Sequence, residues 1–174
     1  GCNTRVVKKQ ALISEYVEHL IDELALVEAR LPGKIRAGAL HLGGGTPNML
    51  SREDLVRLFG ALKHVFPFAP GIEISAELDP AVLTESWVQA AAFHGLNRAS
   101  LGVQDLAPHV QAAVNRIEPF EVVARAAHWL RLAEVASINL DLMYGLPKQT
   151  TDDVVSTLDT VLTLRPERVA LFGY

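Results

Sequence analysis

The sequence predicts an α/β protein built on a parallel sheet, and three observations carry that expectation. Short apolar runs alternate with longer amphipathic stretches along the chain, which is the spacing of βαβ units. Three glycines, Gly43-Gly44-Gly45, follow the first strand-like run and precede a helix pattern. Polar residues stand at the carboxyl ends of the later strand-like runs, where open doubly wound sheets and (β/α) barrels both build their sites. Either architecture fits the pattern.

The elements follow in order. Ile13, Tyr16, Val17, Leu20, Ile21, Leu24 and Val27 recur at helical spacing and predict an amphipathic helix over 11–31, ended by Pro32-Gly33. Ile35 to Leu42 reads as a strand leading into the glycines. Ser51-Arg52-Glu53-Asp54 resembles a capping box and opens a helix through Phe66. Pro67 to Gly71 reads as a loop and Ile72 to Glu77 as the next strand. Asp79-Pro80 supplies an N-cap and a first-turn proline for a helix ending at His94-Gly95. Arg98 to Val103 is a strand, followed by a short helix near 107–114. Pro119 opens a helix to about Ala133, Ser137 to Leu142 is a strand, and Tyr144 to Pro147 is its turn. Thr151 caps a helix to Leu164, and Arg168 to Phe172 is the last strand.

Composition narrows the function. The 174 residues suffice for one domain with a sizeable core, and the 49% hydrophobic, 21% charged content is that of a globular protein. A net charge of −4 argues against a nucleic-acid surface built on basic residues. No apolar run reaches the roughly 18 residues of a membrane span, and no signal-peptide pattern opens the chain. One cysteine, Cys2, excludes an internal disulfide framework and suits the cytoplasm. Gly1-Cys2-Asn3-Thr4 lacks an initiator Met, and Leu171 to Tyr174 stop as a strand finishes. The expectation is a segment of a longer protein.

The strand ends hold the candidate site. A strand that ends in glycines and feeds a helix presents bare N–H groups to a ligand, as anion-binding loops do. The run His41-Leu42-Gly43-Gly44-Gly45-Thr46-Pro47 matches neither GxGxxG nor GxxxxGK[ST]. Glu77 and Asp79 end the second strand, Gln104 and Asp105 the third, and Asp141 lies near the end of the fourth. Asp79 and Asp105 also read as helix caps. Asp141 and Glu77 sit inside apolar strands, where a carboxylate is costly without a partner. Arg116 reads as a solvated loop charge, or as a carboxylate grip if its loop folds over the rim. His19, His41, His64, His94, His109 and His128 form no metal-ligand pattern, and Ser75 and Ser100 lie in no nucleophile elbow.

Taken together, Gly1-Cys2-Asn3-Thr4, His41 to Pro47, Glu73 to Pro80, Leu101 to Asp105, Val114-Asn115-Arg116 and Asp141 to Thr150 resemble the radical S-adenosylmethionine (SAM) core of the oxygen-independent coproporphyrinogen III oxidase family. The blocks stand in the family's order over nearly the whole chain. The resemblance implies a partial (β/α)6 barrel with parallel strands, residues 1–174 forming a partial core domain whose first strand and cluster loop are missing. It implies a [4Fe–4S] cluster and S-adenosyl-L-methionine at the strand-end rim. In the family, reduction cleaves SAM to a 5′-deoxyadenosyl radical, which takes a hydrogen from a propionate of coproporphyrinogen III. Loss of CO₂ and an electron leaves a vinyl group, and two rounds give protoporphyrinogen IX in heme biosynthesis. Gly44 and Glu77 match positions at the cluster-bound SAM. Gly45, Thr46, Gln104, Arg116 and Asp141 match positions at a second SAM.

One departure is large. The family's CxxxCxxC is absent, and Cys2 matches a further cysteine just beyond it. A site-differentiated cluster needs three thiolates, so the chain cannot hold one by its own cysteines and is expected to be inactive alone. The implied partners are coproporphyrinogen III and an electron donor the sequence does not identify, with no nucleic acid, no membrane span and a monomeric state. The rival in the same superfamily is a heme chaperone that binds and transfers heme. Gly1-Cys2-Asn3 and Lys148 favour the oxidase by resemblance. A distant rival is an ordinary barrel or doubly wound enzyme holding a phosphate at residues 43–46.

Overall fold

A computed structural model describes residues 9–174, and the Gly1-Cys2-Asn3-Thr4 block lies outside the described residues. The chain runs α1 (Gln10–Glu28), β1 (Ala37–Leu42), a 3-10 turn at Pro47–Met49, α2 (Arg52–Val65), β2 (Phe68–Leu78) and α3 (Glu85–Phe93). It continues through β3 (Arg98–Gln104), α4 (Pro108–Ala113), α5 (Phe120–Leu132), β4 (Ser137–Tyr144), α6 (Thr151–Leu162) and β5 (Arg168–Gly173). The strands form one sheet in the order β1-β2-β3-β4-β5, every pair parallel. That order decides between the two architectures. A doubly wound sheet reverses direction at a switch point, whereas here each crossover adds its strand on the same side. The sheet curls into a half-barrel, the partial radical SAM barrel that the resemblance implies.

Burial alternates along the strands. Ile74, Ala76 and Leu78 of β2, Ala99, Leu101 and Val103 of β3, and Ile138, Leu140 and Leu142 of β4 are buried on the convex face. There they meet Leu55 and Phe59 of α2, Trp87 and Val88 of α3, and Val123 and Leu130 of α5. A sheet covered by helices on both sides carries near-continuous apolar strands. Here the odd and even positions differ, because helices cover one face and the concave face holds Glu77, Ser100, Asn139 and Asp141. The alternation places the site.

Several elements differ from expectation in detail. Pro67 to Gly71 is not all loop, since Phe68 begins β2 and pairs with Ala37 ahead of a bulge in the β1 ladder. Asp79-Pro80 does not cap α3. Thr84 does, accepting from the Trp87 N–H at 3.3 Å, while Asp79 Oδ1 accepts from the Ala81 N–H in a turn. Thr150, not Thr151, caps α6, in a full capping box with Asp153. Ser51 caps α2, but only half the box forms, because Asp54 turns its carboxylate to the hydroxyls of Ser51 and Ser14. The Ser14 bond ties α1 to α2, although Tyr16 and Val27 of its expected apolar face stay exposed. Among the described residues no helix is long and apolar enough to cross a membrane.

Candidate functional site

The loop after β1 is shaped by its glycines in different ways. Gly44 has φ +90°, a conformation that side chains disfavour. A Cβ at Gly43 would lie 2.7 Å from His41 Nε2, so that position admits a ring. Beyond them Asn48, buried in the 3-10 turn, donates to the Asp79 carbonyl at 2.8 Å and accepts from the Asp79 N–H at 3.0 Å. This amide clamp fastens the glycine loop to the loop after β2. Asp79 is therefore a structural turn residue that borders the rim.

At the end of β3 the ladder to β4 shifts register between Gly102 and Gln104. Gln104 takes φ +67°, and the Asp105 N–H reaches the Val103 carbonyl at 2.9 Å. An i to i+2 bond around a positive φ is the rare, strained form of γ-turn, and such strain gathers at binding sites. It folds the Gln104 amide back over Gly102, where a Cβ would meet Gln104 Nε2 at 3.3 Å. Asp105 turns the other way. It is 2% exposed and accepts from the Ala107 N–H at 2.6 Å and from the Gln149 side chain. Its role is to join the loops after β3 and β4, and it makes no approach to the rim.

Arg116 does fold over the rim. Its Nη2 donates to the Gly102 carbonyl at 2.8 Å, and Nε and Nη2 both reach Glu118 Oε2, at 3.3 and 3.2 Å. Glu118 is 2% exposed, and burial pushes its carboxyl above the usual range against the pull of the guanidinium. The buried Gln111 fixes this loop by bonding the Asp105 and Glu118 carbonyls and the Glu118 N–H. On β4, Asp141 accepts from Asn139 Nδ2 at 2.6 Å. Burial raises the Asp141 carboxyl above its ordinary value, the Asn139 amide opposes that, and the charge of Glu77 adds to it.

These elements enclose a cavity of about 200 Å³ lined by Gly45, Thr46, Glu77, Gln104, Arg116 and Asp141, with Leu78, Asp79, Ser100 and Gly102. Six of the seven residues singled out in the sequence line it; the seventh, Gly44, lies on the same loop. A second cavity of about 550 Å³ shares Glu77, Ser100 and Asp141 and continues along the concave face past His41, Arg98, Asn139 and Arg168. Sequence reading missed His41, Ser100, Gly102 and Asn139. The period-2 alternation of polar side chains along β3 and β4 is the signal that could have found Ser100 and Asn139; His41 on β1 and the side-chain-free Gly102 carry no such signal.

Two carboxylates, one guanidinium and a glycine loop at one rim suit a ligand carrying both a cation and a carboxylate. That is the charge pattern of SAM. No group of His, Cys, Asp and Glu among the described residues could hold a metal ion, so these residues do not fit a cluster.

A family model described as the radical SAM superfamily matches residues 2–161. An anaerobic coproporphyrinogen III oxidase of Cereibacter sphaeroides is 45% identical over all of this chain and 38% of its own length. An oxygen-independent coproporphyrinogen III oxidase of Bradyrhizobium diazoefficiens is 42% identical over all of this chain and 39% of its length. The chain thus spans about two fifths of the length of these curated relatives. The solved structure of Escherichia coli coproporphyrinogen III oxidase, described as a radical SAM enzyme, superposes with a TM-score of 0.94 at 36% identity. It is covered to 40%, and this chain completely. An archaeal Elp3 from Methanocaldococcus infernus, 17% identical with a TM-score of 0.64, shares the fold. With its curled sheet reproduced in a solved member and the family pattern running from residue 2 to 161, the chain belongs to the radical SAM superfamily.

Proposed function

We propose that residues 1–174 are a partial core domain of an oxygen-independent coproporphyrinogen III oxidase, a radical SAM oxidoreductase. It would convert two propionates of coproporphyrinogen III to vinyl groups, giving protoporphyrinogen IX. The observation that carries this reading is one strand-end cavity joining Gly45, Thr46, Glu77, Gln104, Arg116 and Asp141, in a chain whose relatives of that name match it throughout.

The superfamily's cofactors are SAM and a [4Fe–4S] cluster, which together would supply the radical chemistry. The residues of this chain bind and orient. Arg116 takes a SAM carboxylate, held in place by Glu118 and the Gly102 carbonyl. Glu77 would offer its charge to a cationic group of one SAM and Asp141 to that of another, while Gly44, Gly45 and Thr46 would offer backbone N–H groups. In this reading Gly44 and Glu77 serve the cluster-bound SAM, while Gly45, Thr46, Gln104, Arg116 and Asp141 serve a second. No described residue is assigned to the cluster. We place the protein in the cytoplasm, where its cysteine stays reduced.

The test uses the full-length protein reconstituted anaerobically with iron and sulfide, given SAM, a reductant and coproporphyrinogen III. 5′-Deoxyadenosine and protoporphyrinogen IX are expected to accumulate together. A cluster-loaded protein that binds heme and makes no protoporphyrinogen would instead be the heme chaperone.

A further inference from the structure

His41 is hydrogen-bonded at one ring nitrogen and lies close to a carboxylate at the other. Nδ1 lies 2.9 Å from Ser75 Oγ, and Nε2 lies 3.4 Å from Glu77 Oε1. Ser75 and Glu77 are two apart on β2 and so share one face, with His41 beside Ser75 in the β1–β2 register. The Ser75 hydroxyl has one proton to give. We assign that proton to Nδ1 at 2.9 Å, the shorter contact, rather than to the Leu40 carbonyl at 3.4 Å. In that tautomer the ring carries its own proton on Nε2, on the side of Glu77 Oε1 3.4 Å away. The other Glu77 oxygen stays free for a ligand.

Gly43 supplies a second observation. A Cβ there would come within 2.7 Å of His41 Nε2 and 3.0 Å of Cδ2, and this glycine needs no positive φ. The first glycine of the run is space for the imidazole.

We infer that His41 is a positioning residue, braced by Ser75 and admitted by Gly43, that orients the Glu77 carboxylate toward a cationic ligand group. The inference rests on the reading that Glu77 meets SAM. It gives the glycine loop a mechanical part: its first glycine leaves room for the ring that aims the carboxylate on the neighbouring strand.

The test measures SAM binding by equilibrium dialysis with the full-length, cluster-loaded protein, with thermal unfolding as a control for folding. His41→Ala and Gly43→Ala are each expected to weaken binding about three- to fivefold, the scale of an exposed charge contact. Glu77→Gln is expected to weaken it at least as much. In the Glu77→Gln background, His41→Ala should cost under about twofold, because the partner it orients has already changed. Ser75→Thr should bind as the parent does, and Ser75→Ala should weaken binding. Nitrogen NMR of the parent's histidines should report the Nε2–H tautomer at His41. Full additivity of His41→Ala with Glu77→Gln, or an Nδ1–H tautomer in the parent, would overturn the positioning role. Parent-like SAM binding by Glu77→Gln would refute the reading of Glu77, and this inference with it.

Discussion

At the scale of single residues, the concave face is costly to the fold. Asp141 and Glu118 are both held above the usual carboxylate range, burial being the first cause in each. For Asp141 the folded chain holds a proton that the unfolded chain would release. Its stability is therefore fully present below the ordinary carboxylate value and is lost as pH rises through the raised, folded value. Asp141→Asn removes that loss. The variant is expected to melt higher than the parent at neutral pH, with a flatter pH profile of Tm through the acidic range. It should also bind SAM more weakly, since the amide offers no charge to a sulfonium or ammonium. A lower Tm at neutral pH would show that the carboxylate is stabilising in the absence of ligand.

At the scale of elements, β3 is where the strand pattern yields to the site. The bulge after Gly102 and the positive φ of Gln104 turn the strand end so that its amide lies over the cavity. Arg116, from the loop between α4 and α5, lands on the same glycine. A methyl group at Gly102 would meet Arg116 Nη2 and Gln104 Nε2, both at 3.3 Å. Both are ends of long side chains and can give way. Gly102→Ala is therefore expected to fold normally, with a change in stability under about 1 kcal/mol in urea unfolding. SAM binding should fall severalfold, because both polar groups are displaced from the rim. Retained affinity would show that neither group meets the ligand.

For the whole molecule, stability and site lie on opposite faces of one sheet. Leu101 is 0% exposed on the convex side, while Ser100 and Gly102 on either side of it face the cavities. Leu101→Ala is expected to cost about 2–5 kcal/mol, read as a lower urea midpoint with an unchanged slope. SAM affinity of the remaining folded protein should hold. A loss of affinity equal to that of Gly102→Ala would mean that the two faces are coupled through the strand.

Much of this was legible in the chain. Apolar periodicity and turn residues determined the alternation of strands and helices, because local burial and backbone preference act within a few residues. The strand-end rule then placed Glu77, Gln104 and Asp141 near one rim, and the structure gathers them there. What the sequence left open were decisions made between distant segments. Whether the sheet reverses or keeps adding strands on one side depends on how successive crossovers pack, and no single βαβ unit contains that information. Thr84, not Asp79-Pro80, caps α3, and Asn48 from another loop holds the Asp79 backbone in its turn. In sequence Asp105 reads as a cap and Asp141 as a carboxylate inside an apolar strand, but neither reading names a partner. Tertiary contacts alone turned one into a loop fastening and left the other facing the cavity. His41 joined the site only because parallel register sets it beside Ser75 and near Glu77. The sequence by itself determined the elements and the chemistry available at their ends, since both follow from residues close in the chain. Which of those groups meet was settled by the curvature and register of the sheet, which exist only once the strands have paired.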